Sequence, residues 1–389
     1  MPERVAIVGI GETEHKYIRP DVTHEELINQ AVRKALEDAQ LTIKDIDTVV
    51  TGSMDLFEGH YLADTMYIDG AGMLFKPGFK LNTGGTIGSS TVVAGWHHIA
   101  SGLFETALVV GWQKQDAAPS VSALLTTREP LYDRWLSAGA TGIMAALGLD
   151  YLSKNPGCKE EHAALSRVIM SENAARNPNA HLRQKLTVEE VMQSREIVWP
   201  CRFLHMSPTS CGAVALVLAN EGKAKKTTKK PVWLRDVEVR HRDVSTFRGG
   251  CVEPIPDKLA IEVASINLYK RNGITNPAKE IDVWEIYIPS SWALFPFMEW
   301  HHVCEAGEAW QLVEREAIRI EGDIPIDPSG GVVCTNAIGD SGTMRVAEAA
   351  LQIRGDAGEH QVTKKVEKAI TAGWGSAQWS VMFLLSKSL

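Results

Sequence analysis

The sequence lacks several features that define whole classes of protein. No uncharged apolar run reaches the roughly 18 residues that a membrane-spanning helix requires, and the N-terminus has neither the basic start nor the apolar stretch of a signal peptide. Basic residues are not in excess, because 40 Lys and Arg stand against 48 Asp and Glu and the net charge is −8. This balance argues against a nucleic-acid-binding surface. We therefore expect a cytoplasmic protein that binds neither membranes nor nucleic acid.

Cysteine is scarce, and its spacing argues against a metal site. The 389 residues include six cysteines and no Cys-x-x-Cys pair. The neighbours His97-His98 and His301-His302 lack the i, i+4 spacing that brings two imidazoles to one helix face. In a reducing cytosol we expect six free thiols and no metal bound by this chain. The six are Cys158, Cys201, Cys211, Cys251, Cys304 and Cys334.

Strand and helix patterns alternate along the chain. Residues 5–8, 46–52 and 107–112 are rich in β-branched and apolar residues, as buried strands are. Residues 24–40 have apolar side chains at the i, i+3, i+4 spacing of an amphipathic helix. This alternation predicts an α/β fold with a largely buried sheet. Five lysines within residues 222–231 predict a solvated loop.

The same order of patterns returns in the last third of the chain. Residues 45–50, for example, match residues 280–285. A repeat at such a long period implies two similar α/β halves packed about a pseudo-twofold axis. We predict a first half over residues 1–255, with a lid-like insertion at about 115–205, and a second half over residues 256–389.

Two adjoining segments carry a resemblance to a known family. Asp327-Pro328-Ser329-Gly330-Gly331, followed by Asn336-Ala337-Ile338-Gly339-Asp340-Ser341-Gly342, resembles the Asn-Pro-Ser-Gly-Gly and Gly-His-Pro-x-Gly-Ala-Thr-Gly blocks of the thiolase superfamily. Asp327 stands where that family usually has asparagine. The resemblance covers essentially the whole chain. It implies a thiolase-like fold, with two similar α/β halves in a five-layered α-β-α-β-α arrangement.

The chain departs from the thiolase pattern at the usual catalytic positions. Gly85 stands where the family has its nucleophilic cysteine, and Asn336 stands where a histidine activates that cysteine. Tyr287 replaces the histidine or asparagine of the family's Glu-x-His-Asp-x-Phe type motif. The late cysteine of the C-terminal glycine loop is replaced within residues 372–376. The acyl-cysteine mechanism therefore does not follow from the resemblance.

Four side chains are candidate catalytic residues. The Tyr287 phenol can act as general acid or base if neighbouring groups lower its pKa. The Asn336 side-chain amide can donate a hydrogen bond to a developing oxyanion. The resemblance places the loop of Cys334 near the active centre, and Cys211 begins a predicted strand that could border the same region, so these two are candidate nucleophiles.

Glycine turns supply a second set of donors. Making or breaking a carbon–carbon bond beside a thioester develops negative charge on an enolate oxygen, which backbone N–H groups can stabilise. Glycine permits the close approach that such a turn requires. The candidate backbone donors are Gly85, Thr86, Gly375 and Ser376.

Three functions remain open from the sequence. The first is a thiolase-like acyltransferase that cleaves or forms a C–C bond of a 3-oxoacyl-CoA with coenzyme A. Here the chain resembles a subgroup that includes benzoylsuccinyl-CoA thiolase, which implies an aromatic or dicarboxylic acyl group. The second is a retro-aldolase acting on a 3-hydroxyacyl-CoA, similar to thiolase-like aldolases that lack the cysteine and use tyrosine. The third is a non-catalytic scaffold subunit that binds acyl-CoA.

The resemblance also implies ligands and partners. Coenzyme A is the expected substrate, bound between the lid at about 115–205 and the main body, since long insertions on a rigid scaffold usually carry binding function. A homodimer is expected, because sheets in this family extend across a twofold interface. A small zinc-ribbon and OB-fold subunit would supply the metal absent from this chain and complete a heterotetramer.

Overall fold

A computed structural model of the chain describes residues 2–58, 66–116, 120–127, 130–131, 134, 139–242, 257–375 and 379–389. The strands in these residues are β1 (Val5–Glu12), β2 (Thr48–Gly52), β3 (Gly78–Leu81), β4 (Thr106–Lys114), β5 (Glu196–Val198), β6 (Cys201–Arg202), β7 (Cys211–Asn220), β8 (Val232–His241), β9 (Val283–Ile286), β10 (Lys368–Gly375) and β11 (Trp379–Ser386). The helices are α1 (His24–Asp38), α2 (Asp55–Glu58), α3 (Ile87–Ala100), α4 (Ser120–Leu125), α5 (Gly139–Lys154), α6 (Glu160–Arg176), α7 (Val188–Gln193), α8 (Glu221–Thr227), α9 (Ala260–Asn272), α10 (Pro277–Glu280), α11 (Leu294–Trp300), α12 (Ala309–Glu314) and α13 (Ile338–Arg354).

Nine strands form one sheet, and its two ends repeat each other. The order is β3-β2-β4-β7-β1-β8-β11-β10-β9, while β5 and β6 form a separate hairpin. In the first half-sheet, β2 is parallel to β4, and β7 is antiparallel to both β4 and β1. In the second, β9 is parallel to β10, and β11 is antiparallel to both β10 and β8. The predicted pair of similar halves is confirmed. Strand β8 belongs to the second half-sheet although it precedes residue 255.

Side chains along each strand alternate between two cores. In β1, Ala6 and Val8 pack with α1, whereas Val5 and Ile7 pack in a central cluster that includes side chains of α3 and α13. In β11, Met382 packs on the side of α9, while its neighbours face the central cluster. From one side to the other, the layers are therefore α1, the first half-sheet, the pair α3 and α13, the second half-sheet, and α9. This is the predicted five-layered arrangement.

Local sequence explains where the main helices begin and end. Thr23 and Glu26 form a capping box before α1, in which the Thr23 hydroxyl accepts from the Glu26 backbone N–H at 3.1 Å. Helices α9 and α13 end at Gly273 and Gly355, whose φ angles of 64° and 74° favour glycine. The prediction of a loop over residues 222–231 is wrong for its first part. Helix α8 forms there, because Asn220 caps it by accepting from a backbone N–H of its first turn.

The two central helices meet at glycine. A Cβ atom at Gly88 of α3 would lie 2.7 Å from the backbone nitrogen of Gly342 in α13, and a Cβ atom at Gly342 would clash with the backbone nitrogen of Ser89. The Thr343 hydroxyl donates to the Gly88 carbonyl at 3.0 Å. This contact brings together the loops that precede α3 and α13.

The predicted lid is helix-rich in the residues that the structure describes, with α4, α5, α6 and α7. Helix α5 packs on the second half through Gly148, which lies against the Trp292 ring and also against the Pro200 ring of the lid. No helix in the described ranges is long and apolar enough to span a membrane.

The glycine contact predicts a large effect of one methyl group. Gly342→Ala should lower the free energy of unfolding by about 1–3 kcal/mol, because the added Cβ meets backbone that cannot rotate away. Urea unfolding measures the change. Gly222→Ala is the matched control: its Cβ would meet nothing closer than 3.7 Å, so stability should be unchanged or rise by up to about 1 kcal/mol. Equal stability of the Gly342→Ala variant and the wild-type protein would contradict the proposed constraint.

Candidate active site

A cavity of about 250 Å³ lies where the two halves and the lid meet. Tyr287 and Trp374 reach it from the second half, and Gly85 reaches it from the loop before α3. Asn336, from the loop before α13, also lines it. The lid contributes residues of α4 and α5, and residues 206–209, between the lid and β7, also line the cavity. The cavity therefore lies at the predicted junction between the lid and the main body.

Tyr287 and Asn336 form the polar centre of this cavity. Tyr287 directly follows β9, and its hydroxyl donates to Asn336 Oδ1 at 3.4 Å. The Ser341 hydroxyl donates to the same oxygen at 3.1 Å, and Asn336 Nδ2 donates to Ser207 Oγ at 3.1 Å. These three contacts hold the Asn336 side chain in place beside Tyr287. The amide group has a second N–H, so Asn336 can also donate to a ligand in the cavity.

Burial decides the protonation state of Tyr287. The side chain is 6% exposed, and burial raises the pKa of its phenol well above the usual value, although the hydrogen bond to Asn336 acts in the opposite direction. Arg345 also lowers the pKa, but burial outweighs both neighbours. Tyr287 is held as a neutral hydroxyl, which suits a proton donor better than a base.

The two glycine turns touch each other at the edge of the cavity. A Cβ atom at Gly85 would lie 2.9 Å from the carbonyl oxygen of Trp374, and a Cβ atom at Gly375 would lie 3.1 Å from the backbone nitrogen of Thr86. The structure thus brings together three of the four candidate backbone donors. Ser376 lies outside the described residues. The same contact leaves no space for a cysteine side chain at Gly85 unless the backbone moves.

The structure does not bring the candidate cysteines to the cavity. Neither Cys334 nor Cys211 is among the lining residues, and both are fully buried. The Cys334 sulfur lies 3.1 Å from Arg167 Nη1, and the Cys211 thiol donates to the Tyr17 carbonyl at 3.4 Å. Burial raises the pKa of Cys334, and it raises that of Cys211 to about 11.

The other thiols can be described together. The five cysteines within the described ranges are free, and Cys251 lies outside them. In the same part of the chain, no three His, Cys, Asp or Glu side chains are grouped so that they could hold a metal ion.

Sequence reasoning missed a hydrogen-bonded shell behind Asn336. The Asn336 backbone N–H donates to Ser210 Oγ at 3.0 Å, and that hydroxyl lies 2.9 Å from His181 Nδ1. Burial lowers the pKa of His181 to about 4, so its imidazole is neutral at pH 7. His15 Nε2 lies 3.0 Å from Asp340 Oδ2 with both side chains buried. Asp340 lies within the quoted segment 336–342 and Ser210 directly precedes the candidate Cys211, which could have drawn attention to them, whereas the two histidines gave no such signal.

Apolar side chains form the walls around this centre. Met54, Phe57 and Ile338 belong to one buried apolar cluster on the side of Gly85. Met144 and its neighbour Ile143 in α5 also line the cavity. An arrangement of apolar walls with a few convergent polar groups is typical of a small-molecule site.

Comparisons with known proteins agree with this architecture. Residues 253–387 match a family described as thiolase C-terminal domain-like. The chain is similar to an acetyl-CoA acetyltransferase of Methanocaldococcus jannaschii, with 29% identity over 387 residues that cover 97% of each chain. It is 28% identical over 362 residues to an acetyl-CoA acetyltransferase of Methanothermobacter thermautotrophicus, covering 92% of this chain and 93% of that relative.

A solved structure has the same fold. The Ltp2-ChsH2(DUF35) aldolase superposes with a TM-score of 0.79 at 21% identity, over 99% of this chain and 98% of that chain. The likeness extends through both halves and the lid.

The burial of the two cysteines predicts their reactivity. Iodoacetamide at neutral pH should leave Cys334 and Cys211 unmodified in the folded protein, because the thiolate is the reactive form and burial raises both pKa values. Peptide mass mapping measures the labelling, with urea-unfolded protein as the fully labelled control. Rapid labelling of Cys334 in the folded state would contradict this prediction and support Cys334 as a nucleophile.

Proposed function

We propose that this chain makes or breaks a carbon–carbon bond beside the thioester of an acyl-CoA, as a thiolase-like acyltransferase that uses coenzyme A. Its similarity to two acetyl-CoA acetyltransferases and the match of residues 253–387 to a thiolase C-terminal domain-like family support this proposal. The observation that supports this most directly is the pair of donors in the cavity. The Asn336 amide is oriented by Ser207 and Ser341, and the neutral Tyr287 hydroxyl lies beside it. Such preorganised donors stabilise charge as it develops on an enolate oxygen.

The proposed reaction assigns each group a step. In cleavage, the sulfur of coenzyme A bonds to C3 of a 3-oxoacyl-CoA, the C2–C3 bond breaks, and its electron pair passes to the thioester enolate. Asn336 and the backbone N–H groups near Gly85 and Gly375 stabilise the enolate oxygen. Tyr287 donates its proton to C2, and the thiol proton of coenzyme A returns to the phenolate. The products are two acyl-CoA molecules, and no acyl-cysteine is formed.

The apolar walls of the cavity indicate which acyl group the substrate carries. Met54, Phe57 and Ile338 offer apolar contact, and burying a carboxylate against such a surface is costly without a paired cation. Of the two acyl classes that the resemblance implies, this favours a neutral aromatic group over a dicarboxylic one such as benzoylsuccinyl.

A retro-aldolase on the same scaffold is the second candidate. Cleavage of a 3-hydroxyacyl-CoA requires no thiol nucleophile, since the 3-hydroxyl loses a proton as the C2–C3 bond breaks to a carbonyl compound and an enolate. Two observations favour it: the space for a side chain at Gly85 is filled by Trp374 and Gly375, and a tyrosine occupies the polar centre. A scaffold subunit that binds acyl-CoA without turning it over is the third.

One assay separates these functions. Purified protein is incubated with benzoylacetyl-CoA plus coenzyme A, or with the matching 3-hydroxyacyl-CoA alone, and the products are identified by mass spectrometry. Benzoyl-CoA formed only with coenzyme A supports acyl transfer, and benzaldehyde formed without it supports retro-aldol cleavage. If the protein bound the acyl-CoA but formed no product, the scaffold function would be supported and the proposed acyltransferase would be overturned.

Variants of the two donors test the mechanism. Tyr287→Phe keeps the ring and should change stability by only about 0.5–1.5 kcal/mol, whereas loss of the proton donor should lower kcat by about 10²–10⁴. Asn336→Ala removes an oxyanion donor and should lower kcat by about 10²–10³. Steady-state kinetics and thermal melts measure both effects. A folded Tyr287→Phe enzyme with near-normal kcat would reduce this tyrosine to a packing residue.

We further propose that the protein is a homodimer joined at β3. Among the residues that the structure describes, this strand is an edge of the sheet and pairs with β2 alone. Phe79 on it is 46% exposed, and the preceding loop presents Leu74 and a fully exposed Phe75 with a left-handed φ of 57°. An exposed apolar edge strand is a template for pairing, and two copies of β3 about a twofold axis would cover it.

Charge placed on this edge should separate the protomers. The double variant Phe75→Asp and Phe79→Asp should be a monomer at micromolar concentration by light scattering, while wild-type protein is a dimer. Phe203→Asp, at an exposed site in another part of the molecule, is the control and should remain dimeric. A monomeric wild-type protein would contradict the proposed interface.

A partner subunit is also part of the proposal. The resemblance implies a small zinc-ribbon and OB-fold subunit, and the solved aldolase named above joins two components, Ltp2 and ChsH2(DUF35), in its name. We include such a subunit, which would give a heterotetramer with the dimer of this chain.

A further inference from the structure

A cluster of buried acidic side chains lies behind Tyr287 and takes no part in the proposed reaction. At its centre, Nη1 of Arg345 in α13 contacts a carboxylate oxygen of Glu285 and lies 3.8 Å from Asp327 Oδ1. Each of the three side chains is at most 1% exposed. One guanidinium therefore faces two carboxyl groups that water cannot reach.

The charges in this cluster do not balance if both carboxyls are ionised. Two carboxylates beside one cation leave an uncompensated negative charge in the interior, which is strongly unfavourable. The surroundings add further acids, since Glu12, Glu348 and Asp340 also face Arg345.

The other polar and charged neighbours are already bonded elsewhere. His360 is bonded to Glu348 at 2.8 Å, Arg167 of α6 is bonded to the Cys334 sulfur and to the Leu204 carbonyl, and His15 is bonded to Asp340. Within the described ranges, Arg345 is the one cation in ion-pair distance of either Glu285 or Asp327. A proton retained on one of the two carboxyls removes the imbalance.

Hydrogen bonds indicate which carboxyl holds the proton. Glu285 accepts three bonds, from the Ser329 backbone N–H at 3.0 Å, the Ser329 hydroxyl at 2.9 Å and Arg345. Asp327 accepts one from a side-chain or backbone donor, the Ile286 N–H at 2.7 Å on Oδ1, while its Oδ2 is buried without a partner in the described residues. Burial raises the pKa of Glu285 as well, while Arg345 and both Ser329 donors lower it. Because donors stabilise the charged form, Glu285 is the anion of the pair. Burial raises the pKa of Asp327 well above its usual value, and Glu285 raises it further.

We propose that Asp327 is a neutral carboxylic acid in the folded protein and that it positions Tyr287 by holding the end of β9 as a primary amide would. Its Oδ1 accepts the N–H of Ile286, the residue directly before Tyr287, and its own N–H donates to the Trp284 carbonyl at 2.7 Å. Its φ of 46° lies in the left-handed region that Asp and Asn tolerate. The positioning role rests on the proposed function of Tyr287, whereas the protonation state does not.

Two matched amide variants test where the proton is. Asp327→Asn keeps the Oδ1 acceptor and carries no charge, so it should fold and be at least as stable as wild type at pH 7. Glu285→Gln removes the anion that pairs with buried Arg345 and should lower the melting temperature. The opposite order, in which Glu285→Gln is tolerated and Asp327→Asn is destabilised, would place the proton on Glu285 and overturn the proposal.

The pH dependence of stability gives a second test. In the unfolded chain Asp327 loses its proton near pH 4, while in the folded chain it keeps the proton to a higher pH. Between these two pKa values the folded state binds one more proton than the unfolded state, so stability falls as pH rises. From pH 5 to 7, the unfolding equilibrium constant of wild type relative to Asp327→Asn should rise about tenfold per pH unit.

Urea unfolding at pH 5, 6 and 7 measures this ratio, and it does not depend on any activity. The control is Asp150→Asn, at an exposed site in α5, for which the ratio should not change with pH. Equal slopes for wild type and Asp327→Asn would overturn the proposal.

Activity separates positioning from packing. The kcat of Asp327→Asn should stay within about twofold of wild type, while Asp327→Ala, which frees the Ile286 N–H, should lower kcat at least about tenfold with little change in KM. A large loss of kcat in a folded Asp327→Asn variant would overturn the amide-like role, whether or not Asp327→Ala folds. If wild type turned over no acyl-CoA, the proposed function would fail, but the pH slopes would still decide the state of Asp327.

Discussion

The contact between α3 and α13 is the constraint on which the rest of the structure depends. Each helix follows a loop that lines the cavity, and the glycines at Gly88 and Gly342 let the two backbones meet. Protein interiors are close-packed, so neither loop can move without disturbing both half-sheets. Gly85 is thereby held against the end of β10, and Asn336 is held beside Tyr287. The geometry of the candidate site is a consequence of helix packing at the centre of the molecule.

Buried polar side chains connect α13 to the neighbouring elements on the side away from the cavity. Arg345 in α13 links its helix to β9 through Glu285, and Glu348, one turn later, accepts from Asn177 Nδ2 at 2.6 Å at the end of the lid helix α6. One helix thus connects the second half-sheet, the lid and the loop of Asn336. A buried ion pair adds little net free energy to folding, but removing one partner costs far more, because the other charge is left buried and unpaired. These groups therefore select one arrangement of the elements and contribute less to its stability.

The cavity combines neutral donors with apolar walls. Where the thiolase pattern has a cysteine and a histidine, this chain has a closed glycine turn and an asparagine amide, and burial holds Tyr287 in its neutral form. The same rule operates at Asp327, where burial favours the uncharged acid over the anion. A site built in this way acts on developing charge with hydrogen bonds that are already in place, and it requires little reorganisation during the reaction.

The sequence by itself determined the alternation of elements, the repeat and the loops that carry the site. Apolar periodicity is a local property, so β2, α1 and their counterparts were predictable, as were the positions of Tyr287 and Asn336 at loop edges. Tertiary structure alone decided which groups meet. The burial of Cys334, the closure over Gly85 and the pairing of His15 with Asp340 join residues far apart in the chain. Protonation states also depended on it, because a pKa is set by the charges and solvent around a group and no local pattern encodes these.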